Sequence, residues 1–140
     1  MTKTTTLFFI SSLLLLTSCK DTKSANKIYY QAINGKDTAR LSVIYYEDRF
    51  FGQYERIYGK NGKDSGNVRG QLVGDTLKGE FKYLSLGGSK SISPIVFLKK
   101  DDKLLLGKGL ISTYMNIPFY VKDVPMDYNT GFVFEEINNQ

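Results

Sequence analysis

The chain has 140 residues with 19 basic and 14 acidic side chains, and it contains one cysteine, no histidine and no tryptophan. That composition excludes Ser-His-Asp and Cys-His catalytic arrangements, histidine-based zinc sites and an intrachain disulfide. Any catalysis would have to rest on carboxylates, Lys, Tyr or Ser.

At the amino end, Leu7 to Leu16 is an apolar run broken only by Ser11 and Ser12 and preceded by Lys3. It is too short to span a bilayer, which takes roughly 20 apolar residues, and fits the apolar region of a secretory signal peptide. The following Leu16-Thr17-Ser18-Cys19 resembles the lipobox of bacterial lipoproteins. The resemblance implies that Cys19 becomes the new amino terminus, carrying a thioether-linked diacylglycerol and an acylated amine, and multiple acyl chains give stable anchoring. The alternatives are an ordinary signal peptide with a leftover cysteine, or an uncleaved core helix. Lys20 follows Cys19 where an Asp would signal inner-membrane retention in well-studied Gram-negative bacteria, so the outer membrane is the expected address.

The expected organisation is a signal peptide over 1–18, a lipidated tether over 19–27 and one folded domain over 28–140. Removing 1–18 leaves 122 residues with 18 basic and 14 acidic side chains, a small surplus that does not call for nucleic acid. The tether, CKDTKSANK, is polar and without apolar periodicity. Its eight residues past the anchor reach at most roughly 27 Å.

Beyond the tether, short alternating runs rich in Tyr and Phe predict strands over 28–33, 39–46, 49–58, 67–73, 76–84, 91–99, 103–113, 117–121 and 131–137. Asn34-Gly35, Glu47-Asp48, Asn61-Gly62, Gly74-Asp75, Gly87-Gly88, Asp101-Asp102 and Asn129 to Gly131 mark the turns between them. Over 76–84, Leu77, Gly79, Phe81 and Tyr83 fall on one face and Lys78, Glu80 and Lys82 on the other, the pattern of a half-buried strand. The run 67–73 repeats the pattern, with Val68, Gly70 and Leu72 on one face, so the two predict a hairpin. Glycine recurs inside strands, at Gly52, Gly70, Gly79, Gly107 and Gly109, which implies a strongly curved sheet. Curvature and regular spacing predict an all-β fold, an antiparallel meander of about eight to nine strands closing into a barrel.

The motifs Gly35-Lys36-Asp37-Thr38, Phe51-Gly52-x-Tyr54, Lys63-Asp64-Ser65-Gly66, Gly74-Asp75-Thr76-Leu77-x-Gly79-x-Phe81 and Leu106-x-Lys108-Gly109 resemble a group of small Gram-negative lipoproteins. The resemblance covers most of 35–109 and implies a lipocalin-like single-domain barrel. It transfers no catalytic residue.

Alternation places Phe50, Gly52, Tyr54, Arg56 and Tyr58 on one face, a cation between two phenols, and Arg69 on a nearby strand could add a second cation. Tyr54, Arg56, Tyr58 and Arg69 are thus the candidate ligand-binding residues, suited to stacking on a sugar ring and pairing with an anionic group. The competing reading has the aromatics filling the core while Arg56 snorkels to its rim. Lys63-Asp64-Ser65-Gly66-Asn67 faintly echoes a calcium loop but lacks its further acidic ligands and reads as a turn. Glu55 and Glu80 would serve a glycosidase only if they faced each other about 5 to 9.5 Å apart. Tyr114 to Tyr128, with Pro118 and Pro125, reads as a surface loop that could fold over one barrel opening.

The expected function is a non-enzymatic binding or interaction module, lipid-anchored in the envelope, with no cofactor and no catalytic or metal residue. Its partner is a small apolar or amphipathic ligand or another envelope protein, the latter engaged through loop contacts that inhibit or assist it. A carrier requires an open Tyr- and Phe-lined cavity, a protein partner a filled core with an exposed apolar patch, and a carboxylate-based hydrolase two carboxylates facing across a cleft.

Overall fold

The computed structural model describes residues 26–138, so the apolar leader, the lipobox and Cys19 lie outside the described residues. All ten described elements are strands: β1 (Lys27–Asn34), β2 (Asp37–Tyr46), β3 (Arg49–Ile57), β4 (Lys63–Val73), β5 (Thr76–Leu84), β6 (Lys90–Lys100), β7 (Lys103–Leu106), β8 (Ile111–Tyr114), β9 (Ile117–Tyr120) and β10 (Val133–Ile137). Eight of them close an antiparallel barrel in the order β1-β10-β7-β6-β5-β4-β3-β2, and β8 and β9 form a separate two-stranded hairpin. The fold is the closed antiparallel meander that alternation and turn chemistry predict, and it is consistent with the lipocalin-like barrel that the resemblance implies.

Curvature has the cause expected of it. Gly70 and Gly79 face each other across β4 and β5, and a Cβ on either would strike the backbone carbonyl opposite. Gly52 meets Ser42 in the same way, so the strands coil tightly where side chains are missing.

Inward-facing residues then fill the interior. Phe50, Phe97 and Phe134 are wholly buried, as are Leu41, Leu77 and Leu104 to within a few per cent. The Tyr54 ring stands at the centre, its centroid 4.8 Å from Phe81, 6.2 Å from Phe97 and 6.1 Å from Phe134, all edge-to-face. Such pairs contribute about 0.5 to 1.5 kcal/mol each beyond the area they bury. Eight strands enclose little more room than side chains of this size occupy. The centre is therefore a packed core and offers no channel for a long apolar ligand.

Two boundaries differ from expectation by more than two residues. Residues 63–67 are strand, not turn: Ile57 pairs with Lys63 and Ser65 with Leu84, so pairing on both sides carries a polar stretch into the ladder. The turn sits earlier, where the Tyr58 N–H donates to the Gly62 carbonyl at 2.9 Å. The single strand expected over 103–113 is two, because β7 leaves the ring after Leu106. Gly107 and Gly109 do not bend a strand; they let the departing chain pack closely, against Val96 and Tyr128 and against Met126 and Tyr120 respectively.

The meander assigns every connection to one of two mouths. The first, the terminal mouth, holds both described chain ends, since Lys27 pairs with Ile44 and Ile137 with Tyr29. Its three turns have two residues each, Glu47-Asp48, Gly74-Asp75 and Asp101-Asp102. The second, the far mouth, holds the β1–β2 turn, the longer links 58–62 and 85–89, and the excursion 107–132 between β7 and β10.

Candidate functional site

The early end of β7 leaves β6 with a free edge over 90–95, and the excursion answers that exposed backbone. The Gly107 N–H donates to the Val96 carbonyl at 2.9 Å, continuing the ladder by one bond. Two residues further along, Pro94 has no N–H to lose at the free edge. Its carbonyl accepts the Tyr120 hydroxyl at 3.2 Å.

The base of the excursion is clamped. Lys108 and Asp127 exchange backbone hydrogen bonds of 2.7 and 2.8 Å, and the Val121 N–H donates to the Leu110 carbonyl at 2.8 Å. The Asp127 carboxylate accepts the Asn129 N–H at 2.8 Å and the Thr130 hydroxyl, and the Lys108 ammonium donates to the Thr130 carbonyl at 2.7 Å. These bonds hold Asp127 below the usual carboxylate range, the Thr130 hydroxyl first among them. From this base β8 and β9 project as a hairpin, with Tyr114 opposite Ile117 across the turn Met115-Asn116.

Both turn residues are left-handed, with φ of 48° at Met115 and 63° at Asn116. Asn tolerates this conformation and Met does not, at a cost of roughly 1–2 kcal/mol. Pro118 is compatible with the hairpin because it faces Thr113. The pair flanking a two-residue turn exchanges both ladder bonds, so the next pair points its backbone outward and the missing N–H costs nothing. The proline-bearing stretch is therefore partly strand: β9 agrees with the strand expected over 117–121, and the surface loop expected over 114–128 is confined to the residues around it.

Strand alternation divides the hairpin into two faces. Ile111, Thr113, Pro118 and Tyr120 share the face that carries the bond to Pro94, and Ser112, Tyr114, Ile117 and Phe119 share the other. The second face is bare: Tyr114 is 71 % exposed, Ile117 64 % and Phe119 42 %, with Met115 at the tip 78 %. Over 110–121 the chain has no charged residue, although charged residues make up 24 % of the whole. The strand pairing does not supply the reason for that composition. An apolar run kept in water is the kind of surface that marks an interaction site.

Beside the hairpin, the far mouth contains a cleft of about 230 Å³ lined by Tyr54, Arg56, Tyr58, Asp64, Tyr83 and Tyr120, among others. Three of the four expected ligand-binding residues meet here. Arg56 lies 4.8 Å above the Tyr58 ring and 5.4 Å from that of Phe132, and one guanidinium nitrogen is 3.6 Å from Asp37. Its Nε is buried without a hydrogen-bond partner. Tyr58 donates its hydroxyl to Asp64 at 2.5 Å; burial first and this bond second push its pKa up to about 12. Tyr54 is raised as well, chiefly by burial.

Arg69 does not join them. It pairs with Phe51 on the outer wall and donates from Nε to Glu80 at 2.6 Å, because alternation along β4 sends Val68 inward and its neighbour out. The Glu80 carboxyl is lowered mainly by that bond. Glu80 also meets Lys82 at 3.2 Å, while Glu55 meets Lys63 at 3.1 Å and Arg40 at 3.7 Å. Each of the two carboxylates is thus engaged by its own cations on the outer wall. Asp64, the acidic member of the supposed calcium loop, uses its oxygens for Tyr58 and for the Leu86 N–H at 2.7 Å. Among the described residues no group of three or more acidic, Cys or His side chains is placed to hold a metal ion.

No known protein family, curated protein or solved structure matches the chain. The reading of the site rests on its geometry.

Proposed function

We propose that the protein is a lipid-anchored interaction module of the bacterial envelope, without catalytic activity, that engages another protein through the β8–β9 hairpin. The observation that carries this reading is the bare apolar face of a clamped hairpin on a barrel whose centre is filled. The packed rings at the barrel centre favour this reading over a carrier of a long apolar ligand, and the separate cations on Glu55 and Glu80 favour it over a hydrolase that uses the two as a pair. The clamped base means that little conformational freedom is lost on binding, which favours affinity.

Anchoring through Cys19 gives the two mouths distinct roles. A lipid on Cys19 would fasten the terminal mouth, where the chain enters at Lys27, to the outer membrane, so that the far mouth points away from the lipid. The loop contact would inhibit or assist the partner.

Two variants test the reading. Cys19→Ser is expected to move the protein from the membrane to the soluble fraction; retention on membranes contradicts the anchor. Tyr114→Ser with Ile117→Ser is expected to abolish co-purification of one defined envelope protein while leaving the thermal transition unchanged. Retention of that partner by the double variant contradicts the hairpin contact.

A further inference from the structure

The residues Tyr54, Arg56 and Tyr58 have no part in a contact made by the outer face of the hairpin. Their cleft is separate, small and polar: about 230 Å³, below the roughly 300 Å³ at which drug-sized sites begin. It has room for one ring. A flat surface is provided by Tyr83, whose ring stacks on Phe81 with 4.4 Å between centroids and 8° between planes.

Charge decides what kind of ring. The cleft wall carries Arg56 and Asp64, residues paired across β3 and β4, and the Arg56 guanidinium is also 3.6 Å from Asp37. An anionic ligand would meet Asp64, and a cationic one would meet Arg56. The phenols of Tyr54, Tyr58 and Tyr120 are all held protonated, each chiefly by burial. The cleft therefore presents neutral hydroxyls together with one lining charge of each sign, Arg56 and Asp64.

We propose that this cleft binds one neutral sugar ring, with the C–H face of the sugar on Tyr83 and its hydroxyls bonded to Arg56, Tyr58 and Asp64. Sugar rings combine an apolar face with a rim of hydroxyls, each able to donate and accept, which matches an aromatic wall beside a guanidinium, a carboxylate and phenols. The charge balance replaces the anionic partner expected from the sequence with a neutral one. The site is independent of the hairpin contact.

Saturation-transfer NMR on the purified full chain, in a detergent without a sugar headgroup, tests this with galactose, N-acetylglucosamine and glucuronate as probes. Transfer to at least one neutral sugar at millimolar concentration is expected, with glucuronate weaker. Tyr83→Ala and Arg56→Gln should each weaken binding about tenfold, Tyr58→Phe somewhat less, and Arg69→Gln on the outer wall should leave it unchanged. Tyr58→Phe removes a single hydroxyl and keeps the test valid if the larger truncations disturb folding. Absence of transfer from both neutral sugars, a preference for glucuronate, or equal loss in Arg69→Gln would overturn the proposal.

Discussion

The two mouths of the barrel are built from the same strands and finished differently. At the terminal mouth three hairpins close in two residues each, and at Asp101-Asp102 both turn residues are left-handed, with φ of 50° and 60°. Asp is among the few residues that accept this geometry, whereas Glu47 in the β2–β3 turn, at φ of 52°, is not. At the far mouth the connections lengthen, a 26-residue excursion replaces a turn, and an ill-suited Met115 occupies a left-handed position. Each mouth thus holds one departure from local preference, and what sets Met115 apart from Glu47 is that it is apolar and 78 % exposed at the tip of a projecting hairpin.

The largest effects should belong to neither mouth. Phe97→Ala or Phe134→Ala removes a ring from the common core and is expected to cost about 3–5 kcal/mol, measured by denaturant unfolding. A loss below about 1 kcal/mol would mean that the interior is not close-packed, and would restore the carrier reading.

Alkaline pH should act next, through the buried phenols. In the unfolded chain Tyr ionises near pH 10, whereas folded Tyr54 is raised above that value and Tyr58 to about 12. Between these limits the folded state binds more protons than the unfolded one, so stability falls as pH rises above about 10 and is unaffected by these groups below it. For Tyr54 the slope approaches about 1.4 kcal/mol per pH unit; the more exposed Tyr58 adds less. Tyr54→Phe should flatten the decline, followed as thermal unfolding against pH.

The smallest effect is the most diagnostic of the difference between the mouths. Met115→Gly relieves the left-handed strain and should stabilise the protein by up to about 1 kcal/mol while weakening the partner contact. Asp102→Gly should change stability less, since Asp already tolerates its conformation, and should leave the contact intact.

Much of this architecture is legible in the sequence because it is local. Alternation over 76–84 and the Gly74-Asp75 link identify the β4–β5 hairpin and its inward face, and the Tyr54, Arg56, Tyr58 series follows from period two alone. What escaped depends on neighbours. The polar residues 63–67 are strand only because β3 and β5 flank them, and the break at Gly107 comes from packing against Val96 and Tyr128. Arg69 illustrates register: its own strand already alternates it away from Val68, and pairing opposite Phe51 shows that Val68 faces inward. The strand over 117–121 is legible despite Pro118, but its pairing with 111–114 as a separate hairpin is not, because 111–113 reads as the continuation of 103–106 until β7 leaves the ring.

The most direct measurement is site-specific photo-crosslinking in intact cells, with the reactive residue at Ile117 on the far mouth or at Tyr46 on the terminal mouth, both well exposed. The account predicts one discrete protein adduct from position 117 and none of that size from 46. The same adduct from both positions, or none from 117, would contradict it.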